Sequence, residues 1–330
     1  SQHPVLGTAV LGTAALLLAC DRAAAPAPPA PEIAPKPPPA AIALLVGDYA
    51  AEGDTLSLRE EAGRLEVVRW RDSVTARAIP QEAVEAGPEG RGLRVRFQDR
   101  AYERIALGPA EGNVFRISPL RPVEELRRIA LAATPPAEKG EFLPTDLVEL
   151  VTLDSTIKLD IRYATTDNFM SAVFYSSPRA FLQRPAAEAL ARAHQKLAAR
   201  GYGLLIHDGY RPWYVTRMFW DATPDSLRLF VADPSQGSRH NRGAAVDLTL
   251  YDRSTGQPVE MPGVYDEFSP RSFPHYPGST SRQRWHRELL REAMEAEGFA
   301  VYPAEWWHFD YGDWRRFRIG NSTFEELTGH

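Results

Sequence analysis

The stretch AAEALARAHQKLAARGYGLLIHDG, residues 186–209, changes its hydrophobic period at Gly201. Before the glycine, apolar residues recur at helical spacing; after it, a continuous apolar run has the length of a buried strand. A helix stopped by glycine and followed by a buried strand requires a core that packs helices against a sheet. The pattern continues downstream. RPWYVTRMFWDA reads as a helix opened by Pro212, AAVDLTLYD as a strand, and SRQRWHRELLREAMEAEG as a second amphipathic helix ending at Gly298. FAVYP and WWHFDY form the last strand pair, and STIKLDIRY reads as a β-branched strand. The expected fold class is α+β over residues 143–330, with a mixed or antiparallel sheet and flanking helices, long enough to hold its own core.

Upstream the texture differs. TLSLRE, RLEVVRW, GLRVRF and VFRISPL alternate apolar and polar residues between Gly, Pro and Asp, so residues 42–133 read as a small antiparallel β domain with no evident chemistry. Its expected use is as a spacer or an interaction surface. ATPPAEKGEF separates it from the larger domain. Residues 21–41 are Pro/Ala-rich and lack periodicity, as suits an extended linker. Residues 1–20 contain an apolar run of signal-peptide length, and LLAC, ending at Cys20, resembles a bacterial lipobox whose cysteine is lipidated. The expected location is therefore outside the cytoplasm, on a membrane-anchored lipoprotein facing the periplasm or cell exterior.

Several classes fall away. Cys20 is the single cysteine, which excludes an intrachain disulfide framework and a Cys-rich zinc cluster. The net charge of -5 and the absence of a basic run interleaved with aromatics leave no nucleic-acid footprint. H-E-x-x-H does not occur.

What remains is a set of possible ligands. His240 and Asp247, in SRHNRGAAVDLTL, and His308, in EWWHFDY, offer two imidazoles and a carboxylate. Two histidines and a carboxylate with one open position suit a catalytic zinc, and a nearby carboxylate such as Glu305 can serve as general base. Glu305 and His308 would face opposite sides of a flat strand, so a turn or bulge near Trp306 is expected. The same spacings also fit structural residues at strand ends. His194 and His286 lie on helical patterns and read as surface or packing residues; His207 and His275 are spare ligand candidates.

S-R-H-N-R-G-A-A-V-D, from Ser238 to Asp247, resembles the S-x-H-x-x-G-x-A-x-D signature of the zinc D-alanyl-D-alanine dipeptidases. E-W-W-H at 305–308 is similar to their second signature, and RYATTDNF at 162–169 and GYGLLIHDGYRP at 201–212 agree in order. The resemblance spans roughly residues 143–315. It implies one Zn2+ held by His240, Asp247 and His308, Glu305 as general base, and Arg211, oriented by Asp208, as the oxyanion stabiliser. It also implies that Asp266 binds the free ammonium of a small D-amino dipeptide, with Tyr163 and Ser238 lining the same pocket. The segment MPGVYDEFSPRSFPHYPG departs from the family in FPHY, where relatives more often carry paired histidines.

Three other readings stay open at this stage. A zinc D,D-carboxypeptidase would take longer peptidoglycan stems, and a non-enzymatic envelope lipoprotein would need only the anchor and the β domain. S-T-I-K at 155–158 formally matches the S-x-x-K of serine D,D-peptidases, but no K-T-G partner occurs.

Overall fold

A computed structural model describes residues 33–69, 76–86, 93–105 and 116–329. The expected export segment with Cys20, and the linker before residue 33, lie outside the described residues. Among those described, no helix is long and apolar enough to cross a membrane.

After a single helical turn, α1 (Ala40–Ala43), the chain builds a seven-stranded antiparallel sheet from β1 (Gly47–Ala51), β2 (Asp54–Glu61), β3 (Arg64–Val68), β4 (Arg77–Ile79), β5 (Val84–Ala86), β6 (Leu93–Phe97) and β7 (Arg100–Arg104). The strand order is β4-β3-β2-β1-β7-β6-β5. Period-2 alternation sends Tyr49, Leu56, Leu58, Val67, Val95 and Tyr102 to one face, where they form a small core. The α+β class and the β sheet ahead of it match the reading from sequence.

The region after the sheet is helical where only strands were expected. VEELRRIAL folds as α2 (Val123–Leu131), and its Leu126 and Ala130 join the larger core rather than the small one. Apolar residues spaced three and four apart sit inside a turn-rich segment, which hid the helical period.

The larger core is built around β8 (Leu147–Glu149), α3 (Leu150–Leu153), β9 (Lys158–Leu159), β10 (Phe181–Gln183), α4 (Arg184–Ala198), β11 (Tyr202–Asp208), α5 (Trp213–Ala222), β12 (Ala245–Asp252), α6 (Ser281–Glu295), β13 (Phe299–Tyr302), β14 (Glu305–Tyr311) and α7 (Phe324–Thr328). A five-stranded sheet runs β13-β14-β12-β11-β9, antiparallel except where β9 joins β11; β8 and β10 pair separately. Proline at the start of α4 and the Thr280/Gln283 capping box of α6 explain where both helices begin.

STIKLDIRY, expected as one strand, is strand only at Lys158–Leu159. Asp154 accepts hydrogen bonds from the Thr156 backbone and hydroxyl, which closes a turn over Ser155, and a 3-10 turn takes over at Arg162–Ala164. Lys158 donates to the Gly256 carbonyl at 2.6 Å and sits over the Tyr251 ring. Ser155 and Lys158 therefore lack the helix-borne arrangement of a serine peptidase.

Candidate metal centre and active site

β12 and β14 pair so that Asp247 lies directly opposite His308. Cross-strand partners project to the same face, so the register alone brings these two side chains together. His240 arrives from the 3-10 turn His240–Arg242 just before β12. That turn ends at Gly243, whose φ of 65° is left-handed and whose hydrogen would, as a Cβ, lie 2.5 Å from Leu147 Cδ2. Glycine suits both constraints, and Ala244 and Ala245 behind it are fully buried.

Three ligand atoms converge. His240 Nε2 is 3.2 Å from His308 Nδ1 and 3.4 Å from Asp247 Oδ1, and His308 Nδ1 is 3.0 Å from that same oxygen. The other ring nitrogens are already engaged: His240 Nδ1 donates to the Gly209 carbonyl at 2.8 Å, and His308 Nε2 donates to Asp310 at 3.1 Å. When neutral, each imidazole so engaged turns a lone pair inward. Asp247 Oδ1 is buried without a hydrogen-bond partner. Lone pairs meeting with no donor between them call for a cation. A tetrahedral zinc with bonds of about 2.0–2.1 Å sets its ligands about 3.3 Å apart, close to the three separations found here. The residues fit the metal. Burial alone would raise the Asp247 pKa, but His240 and His308 outweigh it and hold the carboxyl below its usual range. Burial would lower that of His308, yet with no cation among the ligands Asp247 and Asp310 push it up to about 10.

Glu305 reaches the same place. Its Oε2 is 3.7 Å from His308 Nδ1, although the two residues are three apart on one strand. The reason is a break in pairing: Val301 faces Phe309, and the next residue, Tyr302, faces Glu305. One step on β13 matches four on β14, leaving residues 306–308 in excess, which is the irregularity expected near Trp306. The Glu305 side chain keeps 39% of its surface open, and burial among the pocket walls raises its pKa.

Behind the metal face, Asp208 is fully buried and accepts four hydrogen bonds. Tyr175 Oη and the Gly209 amide reach Oδ1, while Arg211 Nε and Nη2 reach Oδ2 at 3.0 and 2.7 Å. A bulge at His207, between the Ile206 and Asp208 pairings with β12, turns Asp208 to this position. Arg211 lies over the Tyr163 and Phe219 rings, lines the pocket, and makes no hydrogen bond through Nη1 among the described residues.

Asp266 closes the far side. Tyr163 Oη donates to its Oδ2 at 3.0 Å. Its backbone is left-handed, with φ of 58°, which Asp tolerates better than most residues with a Cβ. Burial, then the charges of Asp247 and Glu305, raise its pKa well above the carboxylate range. Ser238 lines the same cavity of about 820 Å³, and its Oγ accepts the His240 amide at 3.2 Å. All the expected site residues from Tyr163 to His308 therefore share one cavity or its immediate wall. His207 stacks on Tyr265 instead of joining the ligands, and His194 and His286 pack inside on α4 and α6.

Three supports were missed. Asp310 orients His308 and is itself held by Arg239; it sits two residues along the same strand, a spacing that places both on one face. Tyr265 donates to Asp247 Oδ2 at 3.2 Å. Asn241, fully buried, joins the two motifs: its amide donates to the Arg211 carbonyl and Thr216, while its oxygen accepts the Ser238 amide.

A mixed α+β body with a two-histidine, one-carboxylate centre, an adjoining carboxylate and a buried arginine defines a metallopeptidase. Residues 144–325 match the family model described as D-ala-D-ala dipeptidase. The D-alanyl-D-alanine dipeptidase of Escherichia coli (strain K12) is 35% identical over 166 residues, covering 50% of this chain and 84% of the relative. Those of Enterococcus faecium and Streptomyces coelicolor are 34% and 36% identical, covering 85% and 91% of their lengths and 46% and 52% of this chain. The chain belongs to the D-Ala-D-Ala dipeptidase family of metallopeptidases.

Proposed function

We propose that this protein is a zinc dipeptidase that hydrolyses D-alanyl-D-alanine, or a closely related D-amino dipeptide, to free amino acids in cell-wall peptide metabolism. The observation that carries the reading is the pairing of the His240–Asp247–His308 centre with a second carboxylate, Asp266, inside one cavity. A divalent ion, if held by His240, Asp247 and His308, would acidify a water and polarise the scissile carbonyl. Glu305, adjoining the ligands with a raised pKa, takes a proton from the attacking water and returns it to the departing amine. Arg211, fixed through Asp208, presents Nη1 to the oxyanion that develops on the substrate. Asp266 and Tyr163 receive the substrate's ammonium, whose charge offsets the cost of a buried carboxylate. Ser238 lines the cavity beside His240 and bounds the space left for the dipeptide.

Free D-Ala-D-Ala and its N-acetyl analogue, offered to the metal-loaded protein, separate this reading from a D,D-carboxypeptidase. Hydrolysis of the free dipeptide should exceed that of the acylated one by about 100-fold, because acylation leaves Asp266 unpaired. Preferential cleavage of the acylated peptide would transfer the site to longer stems.

We further propose an exported, membrane-anchored lipoprotein, lipidated at Cys20 and spaced from the bilayer by residues 21–41, with the β unit at 42–133 and the peptidase at 143–330. The support is the LLAC motif and the Pro/Ala composition. Cys20→Ala in the producing cell should move the protein from the membrane pellet to the soluble fraction; unchanged sedimentation would remove the anchor.

A further inference from the structure

The seven-stranded sheet lies outside the residues shared with the dipeptidases, yet its face opposite the small core is engaged. Tyr49 and its cross-strand partner Leu56 enter that core, whereas Asp48 and its partner Ser57 turn the other way. Asp48 Oδ1 accepts the Ser57 hydroxyl at 2.5 Å and the Tyr276 hydroxyl at 2.6 Å, and all three side chains are buried. A second contact lies one turn of chain away. β1 begins at Gly47 opposite Leu58, so the end of β2 has no β1 partner; there the Glu60 amide donates to the Ser279 carbonyl at 3.1 Å, and Arg59 bridges Ser279. The Glu60 carboxylate accepts both the amide and the hydroxyl of Ser281 at 2.9 Å, and Arg284 donates to the Glu60 carbonyl and to Glu61.

Tyr276 to Ser281 are the end of the segment that carries Asp266. Its middle is a hydrogen-bonded knot around Glu267, which is buried and accepts the Val264 amide at 2.8 Å, the Ser269 hydroxyl at 2.5 Å and Arg271 Nε at 2.7 Å. Ser272 closes it by donating to the Glu267 carbonyl. The knot is tight enough that a Cβ at Gly263 would lie 2.7 Å from Glu267 Oε2. On its inner side the segment reaches the active site through Tyr265 and Asp266, and Glu267 to Pro270 line the same cavity; the bond from Tyr276 to Asp48 holds its outer end.

We propose that the β sheet is a positioning device for the substrate-binding carboxylate. Asp48, through Tyr276, and Glu60, through Ser281, fix the 262–281 segment in the conformation that presents Asp266, in its left-handed backbone, to the substrate. This rests on the reading of Asp266 as the ammonium partner. Asp48 and Tyr276 are positioning residues: neither lines the active-site cavity.

The test uses the full-length, metal-loaded protein and the variants Tyr276→Phe and Asp48→Ala, with and without Asp266→Asn. Loss of the Asp48–Tyr276 bond, which both variants share, should raise KM for the free dipeptide about tenfold and move kcat by less than about twofold. In the Asp266→Asn background the same substitutions should add nothing further to KM. Amide hydrogen exchange in residues 262–276 should rise about tenfold in both variants, with residues 240–250 and 305–311 unchanged. Unchanged exchange in that segment, or an equal KM penalty when Asp266 is already absent, would overturn the proposal. A parent protein with no dipeptide turnover would instead remove the dipeptidase reading, and the exchange measurement alone would then decide whether the sheet holds the segment.

Discussion

At the scale of single residues, the site works by leaving a few polar atoms deliberately unshared. Asp247 Oδ1 is buried and unpartnered, while Asp247 Oδ2 is satisfied by Tyr265, so one carboxylate both anchors itself and offers a ligand. Arg211 divides its guanidinium in the same way, with Nε and Nη2 committed to Asp208 and Nη1 left to the cavity. Lysine cannot do both, because a single ammonium lacks the planar fork. Arg211→Lys should therefore lower kcat about 100-fold, with metal content unchanged and a smaller effect on KM. Steady-state kinetics beside metal analysis checks this; parental kcat in the lysine variant would take Arg211 out of the reaction.

Among the elements, two local irregularities carry the chemistry, and they mark the limit of what was legible beforehand. α4, α5, α6, β11 and β12 were readable because their period and their boundaries agree: Gly201 and Gly298, both left-handed, follow the ends of α4 and α6, and Pro212 precedes α5. The bulge at His207 and the three excess residues of β14 depend on pairing with β12 and β13, which no window on one strand contains. The need for the second irregularity was nevertheless deducible, since Glu305 and His308 cannot share a face on a regular strand. Asp310 was also within reach, two residues beyond His308 on its own strand. Asn241 and Tyr265 were not, because their partners come from other segments. The strand assigned to STIKLDIRY failed for a local reason: Asp154 and Thr156 satisfy each other in a turn, and that bonding outweighs the β preference of the neighbours.

For the whole molecule, the seven-stranded sheet meets the end of the segment bearing Asp266 and the start of α6 along a seam of polar contacts. Its defining bond joins Asp48 to Tyr276, 228 positions away, which is why the β sheet looked like a spacer in the sequence. The peptidase body brings His240 from a 3-10 turn, Asp247 from β12, Glu305 and His308 from β14, and Arg211 and Asp266 from connecting segments into one cavity, so any joint action is a property of the folded chain. We propose above all a metal-dependent hydrolase with Glu305 as its base. It is tested most directly by measuring zinc stoichiometry and D-Ala-D-Ala turnover together in the parent and in Glu305→Gln. Expected are one zinc in each protein and a fall in turnover of at least about 1000-fold in the variant. A Glu305→Gln protein that keeps its zinc and turns over dipeptide at the parental rate would contradict it.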